Sequence, residues 1–166
     1  MSPFARRQGQ HPQDFYAAAV YGSIIAAALL GAFRKEHDSA ETVLLALVST
    51  LAVFWVAHVW STIVGGRVHA GAAFEWSHGV EVARAEWPLV EAAFLPSLAL
   101  VAGWAGVVSR DTAVNLAMAI CIVQLLGWGI AVGRRSHETW GQAAVTGAVN
   151  GALGIVIVAL ELVIVH

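Results

Sequence analysis

Seven histidines and eleven acidic residues are spread along the chain, yet only His58, Glu91 and Glu161 fall inside its long apolar runs. An ionisable side chain in hydrocarbon is costly, so each of these is a candidate for function. Counted from the ends of their runs, Tyr21 and His58 lie six residues in and Glu91 four residues in from the same side. At 1.5 Å per residue the three stand within roughly 3 Å of one level. Ser61 shares the face of His58 one turn on. Histidine is the side chain whose charge changes near neutral pH, so a Tyr21–His58–Glu91 cluster could relay protons or hold a ligand. The same residues could equally be a polar staple in which Glu91 bonds His58, or unrelated groups facing different ways.

Two further polar levels follow. Gln124 and Asn150 fall near the middle of their runs and are expected to hydrogen-bond across two helices. Arg110, Asn115 and Glu161 gather near the other side, where an Arg110–Glu161 pair beside Asn115 is expected. Three stacked polar levels are what a permeation pathway requires.

These residues need long apolar elements to carry them. Of 166 residues 58% are hydrophobic, against 9 basic and 11 acidic. A soluble domain carries about twice that share of charge. Five runs of about 20 apolar residues occur, at 15–33, 42–64, 87–108, 112–133 and 140–165, each long enough to cross a hydrocarbon core of ~30 Å. Their only formal charges are Glu91 and Glu161. The expected fold is therefore an all-α membrane protein, a five-helix transmembrane bundle, with a flexible tail at 1–14. Gly65-Gly66 is expected to end the second helix. The mixed stretch 67–86 is expected to lie in the interface as a short amphipathic helix. Arg6, Arg7, Arg67, Arg84, Arg134 and Arg135 fall on one side, against Arg34, Lys35 and Arg110 on the other, which predicts N-terminus in and C-terminus out.

Packing inside lipid depends on small residues. Gly147, Gly151 and Gly154 line one face of the fifth run and include a GxxxG, with Asn150 beside them. Ala18, Gly22 and Ala26 do the same in the first. Pro96, in mid-run, predicts a kink and a freed carbonyl one turn earlier near Ala92. Trp55, Trp104 and Trp128 are expected to pack inside, and Cys121 to serve as a small apolar residue.

Other chemistries are excluded or unsupported. Nine scattered basic residues at net charge −2 form no nucleic-acid surface. One cysteine excludes a disulfide framework and a Cys-based metal site. Glu75-Trp-Ser-His78 has the Glu-x-x-His spacing of carboxylate di-iron proteins, but occurs once where two copies are needed. No phosphate-binding, dinucleotide or nucleophile motif is present. No cofactor, metal or catalytic residue is expected.

The stretches Glu86-Trp-Pro-Leu-Val-Glu-Ala-Ala-Phe-Leu-Pro, Phe54-Trp-Val-Ala-His58 and Gly147-Ala-Val-Asn-Gly-Ala-Leu-Gly-Ile-Val-Ile-Val158 resemble a set of small actinobacterial integral-membrane proteins with no assigned activity. The resemblance implies a multi-pass protein of a bacterial inner membrane and no particular site. Three function classes remain open. The first is a small proton or ion channel or transporter, surrounded by lipid or assembled as a homo-oligomer. The second is a non-catalytic accessory subunit. The third is a redox protein or enzyme using His58 and Glu91.

Overall fold

Small side chains on the first helix decide how closely the others can approach it. The structure, a computed structural model, describes residues 12–33, 38–70 and 76–164, without the side chains at 12–14, 67–70, 78, 161–162 and 164. Seven α-helices and no strand occur among the described residues: α1 Pro12–Ala32, α2 Ala40–Ala70, α3 Trp76–Ala85, α4 Pro88–Glu91, α5 Phe94–Trp104, α6 Arg110–Arg135 and α7 Trp140–Ile164. Helix α1 sits against α2, α4, α6 and α7. Its Ala18, Ala19, Ser23, Ala26, Ala27 and Leu30 are buried. The hydroxyl of Ser23 turns back to donate to the Ala19 carbonyl at 2.9 Å, so burying it leaves no bond unmet. At Gly22 the backbone of α1 meets α4 so closely that a Cβ would stand 2.9 Å from the Ala92 Cβ and closer still to the Leu89 carbonyl.

Four helices are long and apolar enough to cross a bilayer, and a bent pair makes a fifth candidate. Large apolar side chains cover the outside, among them Leu45, Val53, Val56 and Trp60 on α2 and Val145, Val149, Ile155 and Val156 on α7. A water-soluble protein would hide such a surface, and lipid accepts it. The molecule is thus an all-helical protein with the surface of a membrane-embedded one.

Several boundaries depart from the sequence expectations. Helix α2 does not end at Gly65-Gly66 but continues to Ala70. Both glycines sit in open space with nothing near their Cβ positions. The cost of glycine inside a helix, about 1 kcal/mol, is small beside the bonds of a 31-residue helix. The stretch expected to be one interfacial helix, 67–86, is divided: its first residues prolong α2 and its later ones form α3. Only a two-residue turn, Glu86-Trp87, separates α3 from α4, and Pro88 opens α4, where proline is tolerated in the first turn. Residues Gly79–Glu91 run as one rod and meet Phe94–Trp104 at a 47° bend. The third apolar run is therefore a broken helix that stops at Trp104, where Gly106 turns the chain at φ +72°. Trp104 is exposed rather than packed inside.

Two caps fix the remaining corners. Ser109 accepts the Thr112 amide at 3.2 Å and starts α6. Arg110 donates to the Phe33 carbonyl, to the Asp38 carbonyl at 3.0 Å and to Asp111 at 3.0 Å, which ties the end of α1 to the start of α6. Between α6 and α7, Arg134 donates to the Glu138 carbonyl at 2.7 Å and lies 4.2 Å over the ring of Trp140.

Candidate functional site: a cleft at the broken helix

The bend has a local cause. Pro96 has no N–H to give the Ala92 carbonyl, and its ring clashes with that oxygen. In hydrocarbon an unmet carbonyl costs several kcal/mol. The Gln124 side chain, halfway along α6, supplies the missing donor, its Nε2 lying 3.4 Å from the Ala92 oxygen. That bond fixes which way the amide faces and turns Oε1 elsewhere. Oε1 is buried with no partner.

Two more buried polar atoms are also without partners, Ser97 Oγ on α5 and Trp128 Nε1 on α6. No other buried side-chain nitrogen or oxygen among the described residues is in that state. Gln124 and Trp128 are four apart and share one helical face. All three residues line a single cleft of about 690 Å³, whose walls include Val48 of α2, Trp87, Glu91, Phe94 and Leu95. Glu91 is its one charged residue and is exposed. An acceptor, a donor and a hydroxyl that can do either are thus left unbonded and covered, on three residues that line one cleft beside a carboxylate. Each unmet buried group costs about 1–3 kcal/mol.

The sequence-predicted residues are distributed differently from the three expected levels. Tyr21 and His58 do meet, with ring centroids 5.6 Å apart, and Phe54 lies 6.4 Å from Tyr21. The acid beside His58, however, is Glu86, with Nε2 to Oε2 at 3.7 Å. Glu91 makes no ion pair with His58. Five residues turn a helix by about 140°, so on the rod Gly79–Glu91 the two carboxylates face apart. Sequence reasoning placed Glu86 outside the span because it did not foresee that rod. Trp55 supports this corner, donating to the Ala83 carbonyl at 3.1 Å and stacking edge-on against Trp87 at 5.7 Å. His58 and Ser61 are both exposed.

Gln124 does not pair with Asn150. It is taken up by Ala92, and Asn150 packs into the seam between α6 and α7, where a Cβ at Gly129 would stand 2.6 Å from its Nδ2. On the same seam Gly147 lies against Ile130 and the Leu126 carbonyl, Gly151 against the Leu126 side chain and Gly154 against Leu125. Arg110 serves the corner described above. Asn115 is exposed, and the Glu161 side chain, the other half of the expected pair, lies outside the described residues. So does Glu75, as does the side chain of His78. Among the described residues the polar groups therefore form separate clusters and do not line one file through the bundle. No group of three or more histidine, cysteine or acidic side chains gathers among the described residues.

No protein family, curated protein or solved structure matches the chain.

Proposed function

We propose that this is a small multi-pass transporter for cations, and that its solute site is the cleft at the bend between α4 and α5. One observation carries the reading: every unpartnered buried polar side-chain atom among the described residues sits on a residue that lines that one cleft, beside its one described carboxylate. A broken helix at mid-membrane is a recurrent way to present polar groups to a solute inside lipid. Separate polar clusters favour a binding site that is alternately exposed over a continuous pore. Counting the bent pair as one span makes five. The arginine bias then favours an N-terminus inside, and the resemblance to actinobacterial membrane proteins supports a bacterial inner membrane as the location.

The test is cation movement into liposomes holding the purified protein, under imposed pH, salt and organic-cation gradients. Movement proportional to the amount of protein is expected, falling about tenfold in Glu91→Gln if the carboxylate contributes about 1.4 kcal/mol. No protein-dependent movement in any gradient contradicts the proposal.

The wide apolar face of α2 favours a second reading, an accessory subunit or homo-oligomer in which another helix covers Leu45, Val53 and Val56. Crosslinking from Val53→Cys in native membranes tests it: a single crosslinked species supports a partner, and only monomer argues for lipid.

A further inference from the structure

We infer that the ligand of this cleft is a substituted ammonium ion, an alkylated or arylated cation and not an alkali cation. The inference rests on the transport reading of the site and names its ligand class. Three features of the walls carry it.

The first is charge. Among the described residues Glu91 is the only charged one lining the cleft, and no lysine, arginine or histidine is among its walls. The second is the ring content. Trp87, Phe94 and Trp128 contribute three aromatic side chains to a wall that is otherwise mostly aliphatic. An alkali ion needs a cage of oxygens to replace its water. Here the side chains offer one carboxylate, one amide oxygen and one hydroxyl, too few for such a cage. A substituted ammonium is weakly hydrated and is held by ring faces together with a single counter-charge. The third is size and access. About 690 Å³ is far larger than an alkali ion and falls in the range of pockets for organic ligands. Val48, Phe94 and Leu95 at the rim are exposed on the apolar surface, so the cleft opens sideways toward lipid. An amphiphilic cation dissolved in the bilayer reaches it by that route.

The unbonded atoms refine the choice. The Gln124 Oε1, covered in this structure, would add an acceptor for the cationic end once its side chain turns into the cleft, whereas Trp128 Nε1 can only donate. A ligand carrying an oxygen near its ammonium group would satisfy both. The shared chemistry has two sources, a free organic cation and the ammonium headgroup of a phospholipid.

The experiment uses full-length protein in nanodiscs and follows tryptophan emission on titration with benzyltrimethylammonium and with neopentylbenzene, its neutral carbon isostere. Saturable binding of the cation about tenfold tighter than the isostere is expected, a preference that cation–π contact and one counter-charge can supply. Glu91→Gln should reduce the preference to near one, and Glu91→Asp should restore most of it. Equal affinities, or no saturable binding by the wild-type protein, would overturn the inference. Repeating the titration at high salt in discs of phosphatidylcholine and of phosphatidylglycerol separates the sources. Weaker apparent binding in phosphatidylcholine identifies a headgroup as occupant, and equal binding identifies a free cation. Proton or alkali-cation flux without ammonium preference overturns this inference and leaves the transport reading standing. Ammonium preference without flux does the reverse.

Discussion

The seam between α6 and α7 and the cleft between α4, α5 and α6 lie on opposite sides of one helix and are built on opposite principles. Along the seam, glycine brings two backbones together until a Cβ at Gly129 would meet the Gly147 Cα at 2.7 Å and the Thr146 carbonyl at 2.8 Å. Across the cleft, the same helix faces a bent neighbour, and the two helices together leave three buried polar atoms unbonded. Close packing is the available source of helix association in lipid. The seam therefore holds α6 in place, and α6 in turn holds Gln124 and Trp128 rigid beside the bend. One face supplies stability and the other spends part of it on a site.

That contrast is most easily broken at the seam. Gly129→Leu forces a branched side chain against backbone that cannot retreat, and should cost about 3 kcal/mol by overpacking, seen as a lower unfolding temperature in mild detergent. A wild-type melting profile would mean that α6 and α7 are not held as described. Gln124→Leu should cost less, about 1 kcal/mol, because it removes one interhelical bond and one unmet acceptor together. Cation movement should fall far more than stability does, and equal losses would make Gln124 plain structural glue.

The His58–Glu86 corner offers a milder comparison. With the His58 side chain 45% exposed, the pair should be worth about 0–1 kcal/mol. His58→Ala should therefore leave both melting and flux near wild type, and selective loss of flux would move the functional centre to that corner. Smallest in stability is Ser97→Ala, which deletes an unpartnered hydroxyl. It should be neutral or stabilising by up to about 1 kcal/mol, and clear destabilisation would show that the hydroxyl has a partner.

Much of the frame was legible in the sequence, because lipid demands length and apolarity that few other settings require. Four of the five apolar runs fall almost wholly on single helices and the third on a broken one, and Pro96 pointed to both the bend and the Ala92 carbonyl it frees. The partner of that carbonyl was not legible. Depth along a helix can be counted, but rotation about its axis is set by neighbours, so Gln124 turned to Ala92 and away from Asn150. The acid beside His58 was misplaced for a related reason: Glu86 was counted with the interfacial stretch 67–86, although one helical direction runs on from Gly79 to Glu91. Glu86 rather than Glu91 then faces His58. The cleft had no sequence signature, since Ser97, Gln124 and Trp128 come together only through the bend.

The central claim is that Ser97, Gln124 and Trp128 line a space that an amphiphilic cation can enter. Cysteine reactivity tests it directly, because thiolate forms where water reaches. The native Cys121, buried on α6, is an internal control for an inaccessible position. Ser97→Cys treated with an amphiphilic, positively charged thiol reagent that partitions into the bilayer should be modified much faster than Cys121 in the wild-type protein, and excess benzyltrimethylammonium should slow it. Modification no faster than at Cys121 would contradict the claim and leave the bend a structural kink.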